Sequence, residues 1–395
     1  MNAQPASERT DIVPEDEAYV PQIEVLLDGK DVTDTLLDDV IDLKVSLEEN
    51  ALGGVTIQLA NHFEWSLDGS KSTDGKYRHS DNEDIDVLMS IVISMGYVGR
   101  LESMFVGEVT TIQCAFPSAG VPTFSVTGTD RLQRLRRAKP GKDTKKVFEN
   151  LAHWEIAKLV AARHDLAYSS RSVTDGAKQK HESQKDMDDA AFILHLAHQN
   201  GFEASVVIED GKQKLYFGPA TDKRDGEKVS QLGLQYGQSL ISFTPKVGVA
   251  RQVSSVTVRG WDSRTKKTFV YKATSKDLPN TGGKGKSGPE RVEKQLKQKE
   301  EVIVDRPVQS QQEAKDLAIE ILREIAYEYV TGNGEAIGDP RIIPGVNLEL
   351  TGLGQRFDGI YYVTKCDHNY GAQGYTTSFA VKRLKDNVSK ELKSV

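Results

Sequence analysis

Apolar and polar residues alternate along much of this chain. In residues 346–350 and again in 375–382, apolar or large side chains take every second position, the period of an antiparallel strand with one packed and one wet face. Asp339-Pro340, Pro344-Gly345, Gly352, Gly354, Asp358-Gly359 and Gly371 fall between such segments, where turns need positive φ or the fixed φ of proline. Together they predict a small twisted antiparallel barrel. Towards the other end, Ile23, Val25 and Leu27 alternate before Asp28-Gly29, Leu43, Val45 and Leu47 alternate against Lys44, Ser46 and Glu48, and Val55, Ile57 and Leu59 follow Gly53-Gly54. Three such strands in succession predict a meander. Residues 86–94, 104–116 and 123–126 continue in strand character.

The period changes in the middle of the chain. Residues 147–163 place Val147, Leu151, Trp154, Leu159 and Val160 near helical spacing. A second helix starts at Ser183, where Asp186 completes a capping box, and carries Ala190, Ile193, Leu196 and Ala197 on its buried stripe before Gly201 stops it. A hairpin over Asp210-Gly211 follows, with strands 203–208 and 214–217. Strands return near Leu240, and Val256, Val258 and Gly260-Trp261-Asp262 echo Val126, Gly128 and Asp130 as a weak internal repeat. Ser310 and Glu313 form another capping box, opening a helix to Val330 with Ala314, Leu317, Ala318, Ile321, Ile325 and Tyr329 on one face; Gly332 ends it. Residues 1–19 read as a flexible acidic tail, 67–84 as a long loop, and the Gly- and Lys-rich segment 272–301 as a mobile excursion.

Composition narrows the function classes. The chain has 395 residues, 38% hydrophobic and 28% charged, enough for two or three domains in a soluble globular protein. A formal net charge of −7 gives no general pull towards nucleic acid or anionic membrane. Arg131, Arg134, Arg136, Arg137, Lys139, Lys142, Lys145 and Lys146 form a local basic run. It suits a solvated linker or a contact with an acidic protein; nucleic acid is the other reading, without the interleaved aromatics that would favour it. Cys114 and Cys366 are too few for a disulfide framework and read as packed thiols. The first residues lack an apolar signal region and no run is long enough to span a bilayer, so synthesis in the cytoplasm is expected.

Candidate chemistry is sparse. Gly282-Gly283-Lys284-Gly285-Lys286-Ser287 ends like a phosphate-binding loop, but Asn280 stands where that loop needs its first glycine. His195 and His198, with His181 and Glu182 nearby, raise a metal site, yet Leu196 between them faces the core and no HExxH occurs. His153, His164 and His368 are isolated, and no GxSxG is present. Asp38-Asp39, Asp188-Asp189 and Asp81 with Glu83-Asp84 read as solvated faces or caps. No catalytic, cofactor-binding or metal-ligating residue is assigned, no cofactor is expected, and the chain is not read as an enzyme.

Several short strings, in order, carry a resemblance. Gly107-Glu108-Val109 to Phe116-Pro117, Pro122, Gly128-Thr129-Asp130, Asp189-Ala190-Ala191-Phe192, Asn200-Gly201-Phe202, then Gly338-Asp339-Pro340, Pro344-Gly345, Gly352-Leu353-Gly354, Phe357 to Val363, His368 and Gly374 to Phe379 resemble the phage late control protein D family. That family supplies the baseplate hub of contractile tails and is similar to the N-terminal part of valine-glycine repeat (VgrG) spike proteins. The resemblance spans Val20 to Leu384. It implies a mainly β fold with an α+β middle domain, in which two tube-protein-like antiparallel β-barrels flank a mixed domain and three chains form a trimeric ring. The implied division is a flexible tail 1–19, a first barrel 20–135, a middle domain 136–236, a second barrel 237–385 with a charged insertion 272–304, and a tail 386–395. Two barrels in each of three chains give a pseudo-sixfold ring, a symmetry adaptor between a hexameric inner tube and a trimeric spike. VgrG-type proteins continue into an OB-like domain and a needle, whereas this sequence stops at Val395, so a separate spike-tip protein is the expected partner, with inner tube and baseplate wedge proteins. No specific nucleic acid and no direct membrane insertion are implied; the expected setting is a phage-tail-like particle or contractile injection system. The competing reading is a stand-alone β-barrel module that binds carbohydrate or protein at a surface, marked by an exposed aromatic groove.

Overall fold

Register is set by the long strand Gly359–Gly371. From Tyr362 to Gly371 it pairs antiparallel with Gly374–Arg383, in which every second residue is buried as the sequence period requires. Its other edge has two partners in turn, Asn347–Thr351 as far as Tyr362 and Val40–Glu48 from Lys365 onward. The register shifts between Val363 and Lys365, an irregularity that bends a strand and re-aims its edge. The change of partner follows that bend. This computed structural model describes residues 10–11, 20–65, 75–137, 147–209, 212–219, 231–262, 267–279, 283–296, 300–303 and 311–388.

The result is one sheet of fourteen strands with two limbs. In the first limb Val40–Glu48 is followed in space by Gly54–Ala60, Thr123–Thr129, Arg100–Ala115, Ser90–Tyr97, Pro21–Leu27 and Lys30–Asp31, all antiparallel. Its core holds Ile23, Val25, Leu43, Val45, Ile57, Leu59, Ile91 and Phe105. In the second limb Gly374–Arg383 continues to Val330–Ile337 and Leu240–Val247, while Asn347–Thr351 continues through parallel pairing to Gln231–Gln235 and Thr10–Asp11. A separate core of Leu348, Leu350, Tyr361, Val363, Phe379 and Val381 sits there, and Leu47 packs against both cores. Among the described residues no ladder closes either limb into a ring.

Only the second half of the meander forms: Val40–Glu48 pairs with Gly54–Ala60. Pro21–Leu27 pairs with Ser90–Tyr97 rather than with Val40–Glu48. After the tight Asp28-Gly29 turn, where both residues have positive φ, the chain runs through a helical crossing that buries Val32 and Leu36 in the core. That crossing carries it to the far side of the limb.

In the middle, helices His153–Ala162 and Asp189–Asn200 cover the hairpin Phe202–Glu209/Lys212–Pro219. Two expected starts move. Val147–Phe148 and Leu151–Ala152 are short strands paired with Glu182–Ser183 and Lys178–Gln179, so the first helix begins only at His153, where Glu155 accepts the Ala152 amide. Ser183 lies in one of those strands, and Asp188 is the true cap, accepting the Ala191 amide at 2.7 Å. Gly201 ends the helix as expected, in the left-handed region at φ 64°. Asp210-Gly211 lies outside the described residues.

A further layer sets Ser255–Asp262 between Lys267–Thr274 and Glu300–Ile303, under helix Gln311–Tyr327. Ser255–Asp262 and Thr123–Thr129 therefore occupy different sheets, despite their echo in sequence. The last helix stops at Tyr327; Tyr329 turns into the second limb's core, and Gly332 lies inside Val330–Ile337, where Phe243 leaves no room for a Cβ. Ser310, its expected cap, is outside the described residues. Segment 272–301 is ordered where described: it carries helix Gly288–Leu296 and the start of the strand Glu300–Ile303.

Candidate assembly interface

An unpaired sheet edge offers a row of backbone donors and acceptors to another chain, and proteins that must stay apart blunt such edges with charge or proline. Ser90–Tyr97 covers Arg100–Ala115 only as far as Glu108. Among the described residues, the strand's ladder from Thr111 to Ala115 is to Thr123–Thr127 alone. Thr111, Gln113, Cys114, Ala115 and Phe116 are exposed, and neither charge nor proline interrupts them. Other one-sided strands differ: Leu240–Val247 contains Pro245 and Lys246, and Lys267–Thr274 contains two lysines. Beside the bare edge, Phe116 meets Tyr77 at 5.1 Å and Tyr77 meets Phe63 at 5.0 Å, both edge to face. On the second limb a polar hollow of about 420 Å³ is lined by Ser242, Thr244, Asn333, Glu335, Lys365 and Asp367.

The Gly-Lys-Ser string has a structural use. An added Cβ at Gly283 or Gly285 would lie 2.6 or 2.5 Å from the Asp386 carbonyl oxygen, and the Gly285 amide donates to that oxygen at 2.8 Å. These glycines therefore let the loop close on the chain's own C-terminal segment. The amide of Ser287, at the head of helix Gly288–Leu296, donates to Glu290. Asp386 is fully buried between Arg291 at 3.0 Å and Arg356 at 3.3 Å, while Arg383 donates to the Asp358 carbonyl and to Asn387. Gly282 lies outside the described residues.

The histidines separate by environment. His195 is exposed, with Gln199 at 2.8 Å; burial, then the neighbouring charges of His198, His153 and Lys185, hold its pKa below the usual imidazole value against Glu182. His198 is exposed too, and His181 stands beside Glu149. Among the described residues no group of three His, Cys, Asp or Glu is placed to hold a metal. His368 is fully buried: Nε2 donates to the Ile342 carbonyl at 3.0 Å, and Nδ1 accepts from Tyr375 at 2.8 Å. Burial lowers it to about 4, so it is neutral. Tyr97 Oη donates to the Gly338 carbonyl and its ring meets Tyr375, tying the limbs together at this point.

The acidic pairs divide between surface and interior. Asp38 is exposed, whereas Asp39 is buried against His79 at 2.8 Å and Arg78 at 3.2 Å, which fastens the described part of 67–84. Asp188 caps its helix while Asp189 is buried against Arg163 and His164. Sequence reasoning missed both buried partners. In the basic run Arg134 pairs with Glu108, and residues 138–146 lie outside the described set. Cys366 is buried as expected, but Cys114 is exposed on the bare edge rather than packed.

Residues 17–371 match the Alg8 N-terminal domain. The chain belongs to that family. No curated protein matches the sequence. Among solved structures this family member is similar to the 43 kDa tail protein of prophage MuSo2 from Shewanella oneidensis, with TM-score 0.65 and 13% identity over 92% of this chain and 98% of that one. It is similar to the tail protein of Neisseria meningitidis MC58, with TM-score 0.64 and 13% identity over 92% and 97%. An Escherichia coli component of the type VI secretion system gives TM-score 0.52 and 12% identity over 90% and 76%. At these identities the likeness is one of fold.

Proposed function

We propose that the chain is a structural baseplate hub of a contractile phage-tail-like particle or injection system, of the late control protein D and VgrG-like kind. Three copies form a ring that adapts a hexameric inner tube to a trimeric spike. The observation that carries this reading is the pair of sheet limbs, each wrapped on its own core and joined edge to edge at Gly359–Gly371 and Val40–Glu48. Two tube-like units per chain, taken three times, supply six tube contacts on a threefold body. The proposed division keeps 20–135 and 237–385 as those units, with 136–236 between them and 272–304 inserted in the second. Fold likeness to two tail proteins and a type VI secretion component supports the setting. Barrel closure is then completed in the assembly, where a bare edge such as Thr111–Ala115 gains a neighbouring strand. Spike, tube and wedge proteins are the partners, and the role is mechanical rather than catalytic.

The surface-binding alternative gains little. Phe63, Tyr77 and Phe116 meet edge to face, not as the flat platform on which a sugar ring stacks. Light scattering on the purified chain, alone and mixed with the adjacent spike and tube proteins, tests the proposal. Three chain masses, alone or on adding spike, support it; a monomer indifferent to both proteins contradicts it.

A further inference from the structure

Three parts of the chain meet at one half-buried acidic contact. Glu49 stands in the turn after Val40–Glu48, its amide bonded to the Thr364 carbonyl. Glu203 belongs to the middle hairpin, and Tyr362 and Lys382 are paired neighbours on the second limb. Tyr362 Oη donates to Glu203 Oε1 at 2.9 Å, and Lys382 Nζ donates to Glu49 Oε2 at 2.9 Å. The carboxyl groups of Glu49 and Glu203 are within hydrogen-bond reach of each other. Among the described residues Glu49 Oε1 is buried and accepts no hydrogen bond, which leaves it free to take a proton carried by Glu203. Lys382 also lies over the rings of Tyr362 and Tyr327, at 4.9 and 5.8 Å. The groups that face the contact are thus two carboxyls, two phenols and one ammonium.

We propose that this contact is a proton-gated latch: a proton shared by Glu49 and Glu203 holds the middle hairpin on both sheet limbs, and its loss loosens the hairpin. Lys382 neutralises one carboxylate, and a second ionised carboxylate in the same desolvated space has no cation of its own. Burial first, then the Glu49 charge, raise Glu203 to about 8. The folded group therefore keeps its proton to higher pH than the unfolded one. Between the ordinary carboxylate range and that value the folded state binds more protons, so stability falls as pH rises through the interval. The latch does not depend on the hub reading, because it is internal to one chain.

The test compares the full chain with Glu203→Gln, whose amide donates to Glu49 and accepts from Tyr362 as the protonated acid does. Thermal midpoints and hydrogen exchange of Phe202–Pro219 are followed from about pH 6 to about pH 9. Exchange is corrected for its intrinsic pH dependence, with the hairpin Ser255–Thr274 as internal reference. The native chain should lose midpoint and hairpin protection as pH rises, and the variant should lose neither. Equal pH responses in the two chains overturn the proposal. Lys382→Gln supplies a second reading, since removing the cation should move the native transition to higher pH; a transition that stays or moves down also overturns it.

Discussion

Two charge clusters each join distant parts of the chain, and their balances are opposite. At the C-terminal knot, Arg291 and Arg356 hold the buried carboxylate of Asp386, with Arg383 on the neighbouring Asn387. At the three-way junction, Glu49 and Glu203 share the single ammonium of Lys382. The knot gives its carboxylate more than one guanidinium partner. The junction closes only with a proton in it. Guanidinium groups stay charged in proteins and hold a carboxylate with directed bonds, which suits a permanent fastening. A carboxyl pair short of cations makes a fastening that conditions can open.

The comparison breaks most visibly at the knot. Asp386→Ala leaves Arg291 and Arg356 without their buried partner, a loss of about 3–5 kcal/mol, measured by urea denaturation. A loss within experimental error would show that the arginines are solvated and the knot is ornamental. Gly285→Ala sharpens the same region without touching charge. Its Cβ meets the Asp386 carbonyl oxygen at 2.5 Å, and forced displacement of this kind costs about 1–3 kcal/mol. Gly248→Ala, where a Cβ meets nothing within 4 Å, should be near neutral by the same measurement.

At the junction the effect is smaller and has the other sign. Glu203→Gln should stabilise the chain at about pH 9 by on the order of 1–2 kcal/mol while leaving acidic conditions almost unchanged. A midpoint that shifts equally at both ends of the pH range would mean packing, not titration, is responsible. Smallest in stability is Gln113→Lys on the bare edge, within about 0.5 kcal/mol, as for most exposed substitutions. Its expected consequence is weaker association with a neighbouring strand, read by light scattering.

Much of the sheet was legible in the residues, because a half-buried strand writes its burial at every second position. Residues 375–382 alternate in sequence and alternate again in burial. Partnership was not legible. Pro21–Leu27 skips its sequence neighbours for Ser90–Tyr97, a choice made by the helical crossing and the core rather than by local pattern. Ser183 looked like a cap since any hydroxyl three residues before an acid does, but a two-residue strand with Val147–Phe148 claims its backbone. The glycines at 283 and 285 stand out in the sequence only as part of a Gly-Lys-Ser string, and their close approach to Asp386 depends on a contact about a hundred positions away. Glu49 and Glu203 carry no local signal for the same reason. The bare edge could have been noticed in part: residues 111–116 are apolar or uncharged and β-prone, and only pairing tells that their outer side is open.

The most direct test of the central claim is the stoichiometry of the assembled complex by native mass spectrometry, with the chain, the inner tube protein and the spike protein isolated together. Three copies of the chain with six of tube and three of spike is the predicted result. A single copy, or a complex holding neither tube nor spike, would contradict the symmetry-adaptor account.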